Sequence, residues 1–272
     1  MRAIADGSAS EAVAAIDRVL DELEEAHDVS ILLACESGSR AWGFPSPDSD
    51  YDCRFIYVRP LAEYLTPWPR RDVIEAPLVS DLDINGWDLG KALKLMLKGN
   101  AIVLEWLRSP FAYAGDVAFR DALLALAYRW ADRDRISRHY LHLGENQRRT
   151  YLPDDREVAI KKLFYALRPA AALRWLRRHG AAVPPMHFPT LIRECDPPDD
   201  VATIAADLVA AKARTRELGQ GPVPGPIARF IDNEFARARD ELGEAPARSP
   251  MQAYEEAEQL FAKTVLRWDS AR

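Results

Sequence analysis

Two apolar runs, Ser30–Glu36 and Cys53–Val58, bracket the stretch that most constrains this chain. The first is followed by Gly38-Ser39, and the second is opened by Asp50-Tyr51-Asp52. Residues i and i+2 of a strand point to the same face, so Asp50 and Asp52 lie side by side at the mouth of the second strand. Two carboxylates that close repel unless one is protonated or a cation sits between them. Oxygen-only ligands at that spacing suit Mg²⁺. A Gly-Ser turn directs backbone N–H groups beside the acids, which is an anion site. An anion cradle next to carboxylate-held Mg²⁺ is the equipment for handling a nucleoside triphosphate.

The order of strand, Gly-Ser turn, Ser/Pro/Asp loop and acidic pair on the next strand resembles the nucleotidyltransferases of the DNA polymerase β superfamily. The fuller string GSRAWGF-x-S-x-DSDYD-x-RFIY, residues 38–57, is similar to a branch associated with RNA repair, the RlaP or YcgL-like family. The resemblance implies a third carboxylate on a later strand. In Asp81-Leu-Asp-Ile-Asn-Gly-Trp-Asp88, alternation puts Asp81, Asp83 and Asn85 on one face and Leu82 and Ile84 on the other. Asp83, between two apolar residues, fits the implied position. Asp88 precedes a helical pattern and has the competing role of N-cap. The segment GWDLGKAL…GN…EWL over residues 86–107 also resembles the family, with Gly90 where the family usually carries Arg.

The resemblance further implies an α+β fold. A small mixed-sheet polymerase-β-like nucleotidyltransferase domain over residues 1–112 precedes an all-helical domain over 113–272. Val13, Ile16, Leu20 and Leu23 mark a first amphipathic helix, with Ser8-x-x-Glu11 as a capping box. Helices are expected near 88–98 and 101–107, then near 116–131, 134–150, 156–178, 200–218, 226–241 and 250–268. Breaks fall at Pro153, Pro184-Pro185, Pro197-Pro198, Pro222 to Pro226 and Pro246 to Pro250. Pro169 is expected to kink its helix or to start another.

The net charge of -6 argues against a generic nucleic-acid coating, yet residues 129–178 hold 13 Lys/Arg against 6 Asp/Glu. Within that region Lys161, Tyr165 and Arg168 stand at i, i+4 and i+7 and share a helix face. Such a stripe suits phosphate and base recognition; a solvated face is the alternative. The family carries a similar KK-x-x-Y-x-LRP-x-x-A-x-x-W run. Arg40 either reaches a phosphate or braces the acidic loop, Trp42 is a packing residue, and Arg54 shares a strand face with Asp52 and can pair with the acids.

The expected site is therefore Asp50, Asp52 and Asp83 as catalytic and Mg²⁺-holding groups, with Gly38, Ser39, Arg40, Lys161, Tyr165 and Arg168 binding the nucleotide. The implied reaction moves a nucleoside monophosphate from a triphosphate to an acceptor hydroxyl with release of pyrophosphate, with RNA ends as the implied acceptor. A protein or small-molecule hydroxyl, or a non-catalytic nucleotide-binding module, are the alternatives. Cys35, Cys53 and Cys195 form no CxxC pair and fit a reducing cytoplasm. No stretch is apolar enough for a membrane span, and the first ten residues lack the apolar segment of a signal peptide.

Overall fold

The computed structural model describes residues 1–4, 8–79, 81–152, 157–215, 219–244 and 249–271. Its first part runs α1 (Ser10–His27), β1 (Ser30–Glu36), α2 (Ser39–Trp42), β2 (Tyr51–Val58), α3 (Leu61–Tyr64), β3 (Val73–Glu75), β4 (Leu82–Asp88), α4 (Leu89–Leu97), α5 (Ala101–Arg108) and β5 (Ala112–Gly115). Its second part contains α6 (Val117–Trp130), α7 (Arg133–Tyr151), β6 (Val158–Ala159), α8 (Leu163–Arg178), α9 (Phe188–Cys195), α10 (Asp199–Arg214), β7 (Gln220–Gly221), α11 (Gly225–Glu241) and α12 (Met251–Asp269).

The five main strands form one mixed sheet in the order β3-β4-β2-β1-β5. Strands β2 and β4 are parallel, and the other neighbouring pairs are antiparallel. A parallel pair needs a crossover, and residues 59–81 supply it. The pairing aligns Asp52 with Asp83, Arg54 with Asn85 and Ile56 with Trp87. On β2, Tyr51, Cys53, Phe55 and Tyr57 face one core layer with Val13, Ile16, Leu20 and Leu23 of α1. Ile56 and Val58 join the opposite layer, beneath α4, α5 and the helical part. Burial on both faces explains why β2 reads as a nearly continuous apolar run. Each of the four α1 side chains contributes roughly 1.5–3 kcal/mol by leaving water.

The α+β architecture, a small mixed sheet followed by helices, is as expected, and several local details differ. The Ser8 capping box does not form: α1 starts at Ser10, and its N-cap Ala9 supplies no side-chain bond. The Ala9 N–H donates instead to the Tyr51 hydroxyl at 2.9 Å. The division at residue 112 cuts through β5, which pairs with β1 and carries the sheet to Gly115. The second part is not wholly helical, because β6 and β7 pair as a two-stranded ribbon. Strands of two residues are too short to leave a period in the sequence. The expected helices also omitted α9, whose Pro189 lies in the first turn, where a missing N–H costs nothing. Helix α8 runs through Pro169 as one element from Leu163 to Arg178.

Pro153 and Pro246, residue 156 and residues 216–218, each assigned to a break or a helix end from the sequence, lie outside the described residues.

The two parts share one core. Phe44, just after the Gly-Ser turn, stacks on Phe164 of α8 at 4.3 Å between ring centroids. At the other end α12 returns to the sheet unit, where Phe261 meets Tyr64 edge-on at 5.0 Å and Asp269 accepts from the Leu61 N–H at 2.9 Å. No helix of the described residues is long and apolar enough to cross a membrane.

Candidate active site

The end of β1 places Glu36 beneath the Gly-Ser turn, with only 1% of its surface exposed. One carboxylate oxygen accepts from the Gly38 N–H at 3.1 Å and from the Asp52 N–H at 3.0 Å; the other accepts from the Tyr113 hydroxyl. A buried carboxylate without such donors would cost several kcal/mol, roughly, so these bonds fix the turn against β2. Gly38 is required by space. A Cβ there would lie 1.7 Å from Oδ2 of Asp52. The turn thus packs directly onto the acid.

The Ser39 hydroxyl donates to the Ser49 hydroxyl at 2.9 Å, and Ser49 Oγ also accepts from the Ser46 N–H at 2.8 Å. Arg40 donates to the Ser49 carbonyl at 2.6 Å and the Asp50 carbonyl at 3.3 Å, with its guanidinium 3.8 Å from the centre of the Tyr51 ring. Of the two roles open to Arg40, the bracing one is seen here: Nε and one terminal nitrogen are engaged by the loop. Ser39 likewise ties the turn to that loop. Asp50 is exposed at the loop's end.

Asp52 and Asp83 are paired residues on neighbouring parallel strands. Arg54 lies between them, donating to Asp52 Oδ1 at 3.3 Å and to Asp83 Oδ2 at 2.6 Å. Its other terminal nitrogen donates to the carbonyls of Cys53 and Asp83 at 3.0 and 2.7 Å. The Asp52 carboxyl is pushed up from 3.8 to about 6, chiefly by burial. Arg54 opposes the rise, while the charges of Glu36, Asp83 and Asp50 add to it. Among the described residues no group of three His, Cys, Asp or Glu side chains is arranged to hold a metal ion. The donor chemistry nevertheless fits Mg²⁺, which commonly takes one or two carboxylates and completes its shell with water and substrate phosphates. Asp52 and Asp83 are the two residues that could hold such a cation, and a cation would relieve their mutual repulsion.

Of the remaining acids of this segment, Asp88 is engaged elsewhere. Asp88 caps α4, accepting from the Gly90 N–H at 2.8 Å, and accepts from the Tyr64 hydroxyl at 2.7 Å. Asp81 precedes β4, where its carbonyl accepts from the Tyr51 N–H at 2.7 Å.

The helical part brings Tyr165 to the acids. Burial raises its hydroxyl pKa, and the charges of Asp52, Tyr151 and Asp50 add to the effect. Its ring meets Trp42 edge-on at 6.4 Å and Tyr151 at 5.8 Å. The Lys162 ammonium sits 4.4 Å from the Tyr151 ring centre and 4.7 Å from that of Tyr165. Lys161 lies in the short 3-10 turn before α8, not on the helix. Arg168 corrects the expected stripe. It is 5% exposed, pairs with buried Glu105 at 2.7 Å and stacks 4.6 Å from the Trp42 ring centre. A residue seven positions from Lys161 would share its face only on a continuous helix, and the 3-10 turn breaks that geometry. Trp42 is the packing residue its sequence context suggested.

Two residues escaped the sequence reading. Glu36 ends an apolar run and looks like the polar boundary of a strand, so its structural role carries no separate signal. Lys212, near the end of α10, holds its ammonium 4.7 Å from the Phe44 ring centre. Burial pulls its pKa down to about 8, the nearby charge of Lys161 pulls further, and Asp48 opposes both. It makes no ion pair among the described residues, and only the fold brings it to the loop.

A family model described as "RNA repair pathway DNA polymerase beta family" matches residues 13–263. The chain is also 39% identical over 233 residues to the uncharacterized protein YcgL of Bacillus subtilis (strain 168), covering 85% of this chain and 89% of that protein.

Proposed function

Because the chain belongs to the RNA repair pathway DNA polymerase β family, we propose that it is a Mg²⁺-dependent nucleotidyltransferase that moves a nucleoside monophosphate from a triphosphate to a hydroxyl at an RNA end, releasing pyrophosphate. The observation that carries this reading is the alignment of Asp52 with Asp83 across parallel strands, directly against a turn where only glycine fits. Asp52 and Asp83, with Asp50 at the loop's end, would hold the cation. When bound, Mg²⁺ supplies charge neutralisation on the phosphates and lowers the barrier to attack at the α-phosphorus.

The chain's own groups account for the rest. Gly38 lets the turn pack directly against the Asp52 carboxylate, and Ser39 and Arg40 hold the acidic loop in place. Arg54 keeps the two acids together and offsets part of their repulsion before substrate arrives. Asp83, at the edge of this cluster, is placed to take the proton of the attacking hydroxyl, as a general base within reach of it. Lys161 and Lys212 present positive charge from the helical side, where the leaving pyrophosphate develops its own negative charge. The Tyr165 ring offers a stacking surface for a base.

Incubation with each α-labelled triphosphate, Mg²⁺ and a mixed pool of RNA, followed by identification of the labelled species, tests the reading. Label in RNA supports it. Label in a protein or small hydroxylic compound with RNA unlabelled would replace RNA as the acceptor.

A further inference from the structure

A second charged cleft lies away from the carboxylates, where α8, α10 and α11 meet. It encloses about 230 Å³ and is lined by Arg174, Val201, Phe230, Asn233, Glu234 and Arg237, with Arg229 at its rim. Two acids line it: Glu234 is 3% exposed and accepts from Arg174 at 3.1 Å and from Arg177 at 2.6 Å, while exposed Asp200 accepts from the Val201 N–H at 2.9 Å in the first turn of α10. Arg174 is committed as well, donating also to the carbonyls of Cys195 and Asp196. Arg229 and Arg237 are different. Both are exposed, and neither has a hydrogen bond or ion pair among the described residues. They stand with Asn233 at i, i+4 and i+8 of α11, one face of the helix, about 6 Å apart per step. Guanidinium groups match phosphate oxygens in a bidentate way that ammonium groups do not.

The cleft is also aligned with the site described above. Helix α8 carries Tyr165 at the catalytic end and Arg174 at the cleft, nine residues later, or about 14 Å at 1.5 Å per residue. Helix α10 runs the other way, from Val201 at the cleft to Lys212 at the catalytic loop, about 17 Å by the same rise. The two helices meet at both ends: Lys212 lies 5.9 Å from the Phe164 ring centre, and Arg174 and Val201 line the same cleft. A strand of a few nucleotides spans such a distance.

We propose that Arg229, Asn233 and Arg237 form a phosphodiester-binding rail that anchors the acceptor RNA several nucleotides away from the end that reacts. The inference rests on the proposed function for the identity of the strand, but the rail is a site of its own, separate from the triphosphate. Three arginines, two of them with no partner among the described residues, against Asp200 and the paired Glu234 leave a net positive cleft for an anion to fill.

The test is binding of a fluorescent single-stranded RNA of about a dozen nucleotides to the full chain and to the doubly substituted Arg229→Gln, Arg237→Gln protein over a salt series, with a triphosphate titrated separately. Losing two phosphate contacts should lower the slope of log affinity against log salt by about 1.4, at about 0.7 per contact for single strands. RNA affinity at low salt should fall about tenfold or more, while triphosphate affinity stays within twofold. An unchanged RNA affinity and slope would overturn the rail. So would an acidic peptide that binds the wild-type protein as tightly as RNA and loses affinity to the same two substitutions, since that would make the cleft a protein-docking site. Arginine-dependent RNA binding without nucleotide transfer by the wild-type protein would keep the rail and defeat the catalytic reading, so the two failures are distinguishable. Both substituted residues are exposed on α11, and an unchanged melting temperature checks that the variant is folded.

Discussion

Asp52→Asn should abolish nucleotide transfer and at the same time stabilise the metal-free protein. The Asp52 carboxyl titrates at about 6 instead of 3.8, because it is buried beside Glu36, Asp83 and Asp50. The folded protein therefore holds the proton more tightly than the unfolded chain, so wild-type stability falls as pH rises from about 4 to about 6. At about 1.4 kcal/mol per unit, the full cost of ionising Asp52 in the fold is about 3 kcal/mol. Its side chain is 29% exposed, and solvent screening reduces this by about 1–2 kcal/mol. Asparagine is nearly isosteric, and the Asp52 N–H bond to Glu36 is a backbone bond that survives the change. The expected net gain is about 1–2 kcal/mol above pH 6, or a few degrees in melting temperature for a chain of this size. The gain should vanish near pH 4. Urea denaturation of both proteins in EDTA at pH 4.5, 6 and 7.5 measures it. An asparagine variant less stable than wild type at pH 7.5, or a difference independent of pH, would refute the electrostatic reasoning.

Gly38→Ala should eliminate activity and lower stability, since the added methyl meets the Asp52 carboxylate; circular dichroism melting with a transfer assay checks both. Arg168→Ala should destabilise by about 3–5 kcal/mol, because it strands Glu105 in the core, and triphosphate affinity of the folded fraction should be unchanged; denaturation and nucleotide titration separate the two. Asp88→Ala should cost about 1–3 kcal/mol through loss of the α4 cap and of the Tyr64 partner, while the transfer rate per folded molecule is retained.

Much of this was legible because period-2 patterns survive in sequence. The apolar runs on either side of Gly38 and Asp50 are β1 and β2, and the alternation around Asp83 is the face of β4 that looks toward the helical part. Asp88 reads as a helix cap from the apolar pattern after it, and it is one. What the sequence concealed depends on contacts between distant segments. Arg168 looks like a solvent-facing cation by spacing, but α8 is buried on nearly every side, and Arg168 pairs with Glu105 in the core. The sheet's fifth strand is only four residues long, so pairing with β1 alone reveals it. Lys212 lies far along the chain from the loop that it faces. Glu36 is partnered mainly by backbone N–H groups, which leave no mark in a side-chain pattern.

The claim that the β2 and β4 carboxylates perform the chemistry is tested most directly by pyrophosphate release. Wild type, Asp52→Asn and Asp83→Asn are compared with saturating triphosphate, Mg²⁺ and RNA, each variant first shown to be folded. Wild type should release pyrophosphate in proportion to nucleotide joined to acceptor, and each variant should lose several orders of magnitude in rate. Release by either variant at close to the wild-type rate would place the chemistry elsewhere on the molecule.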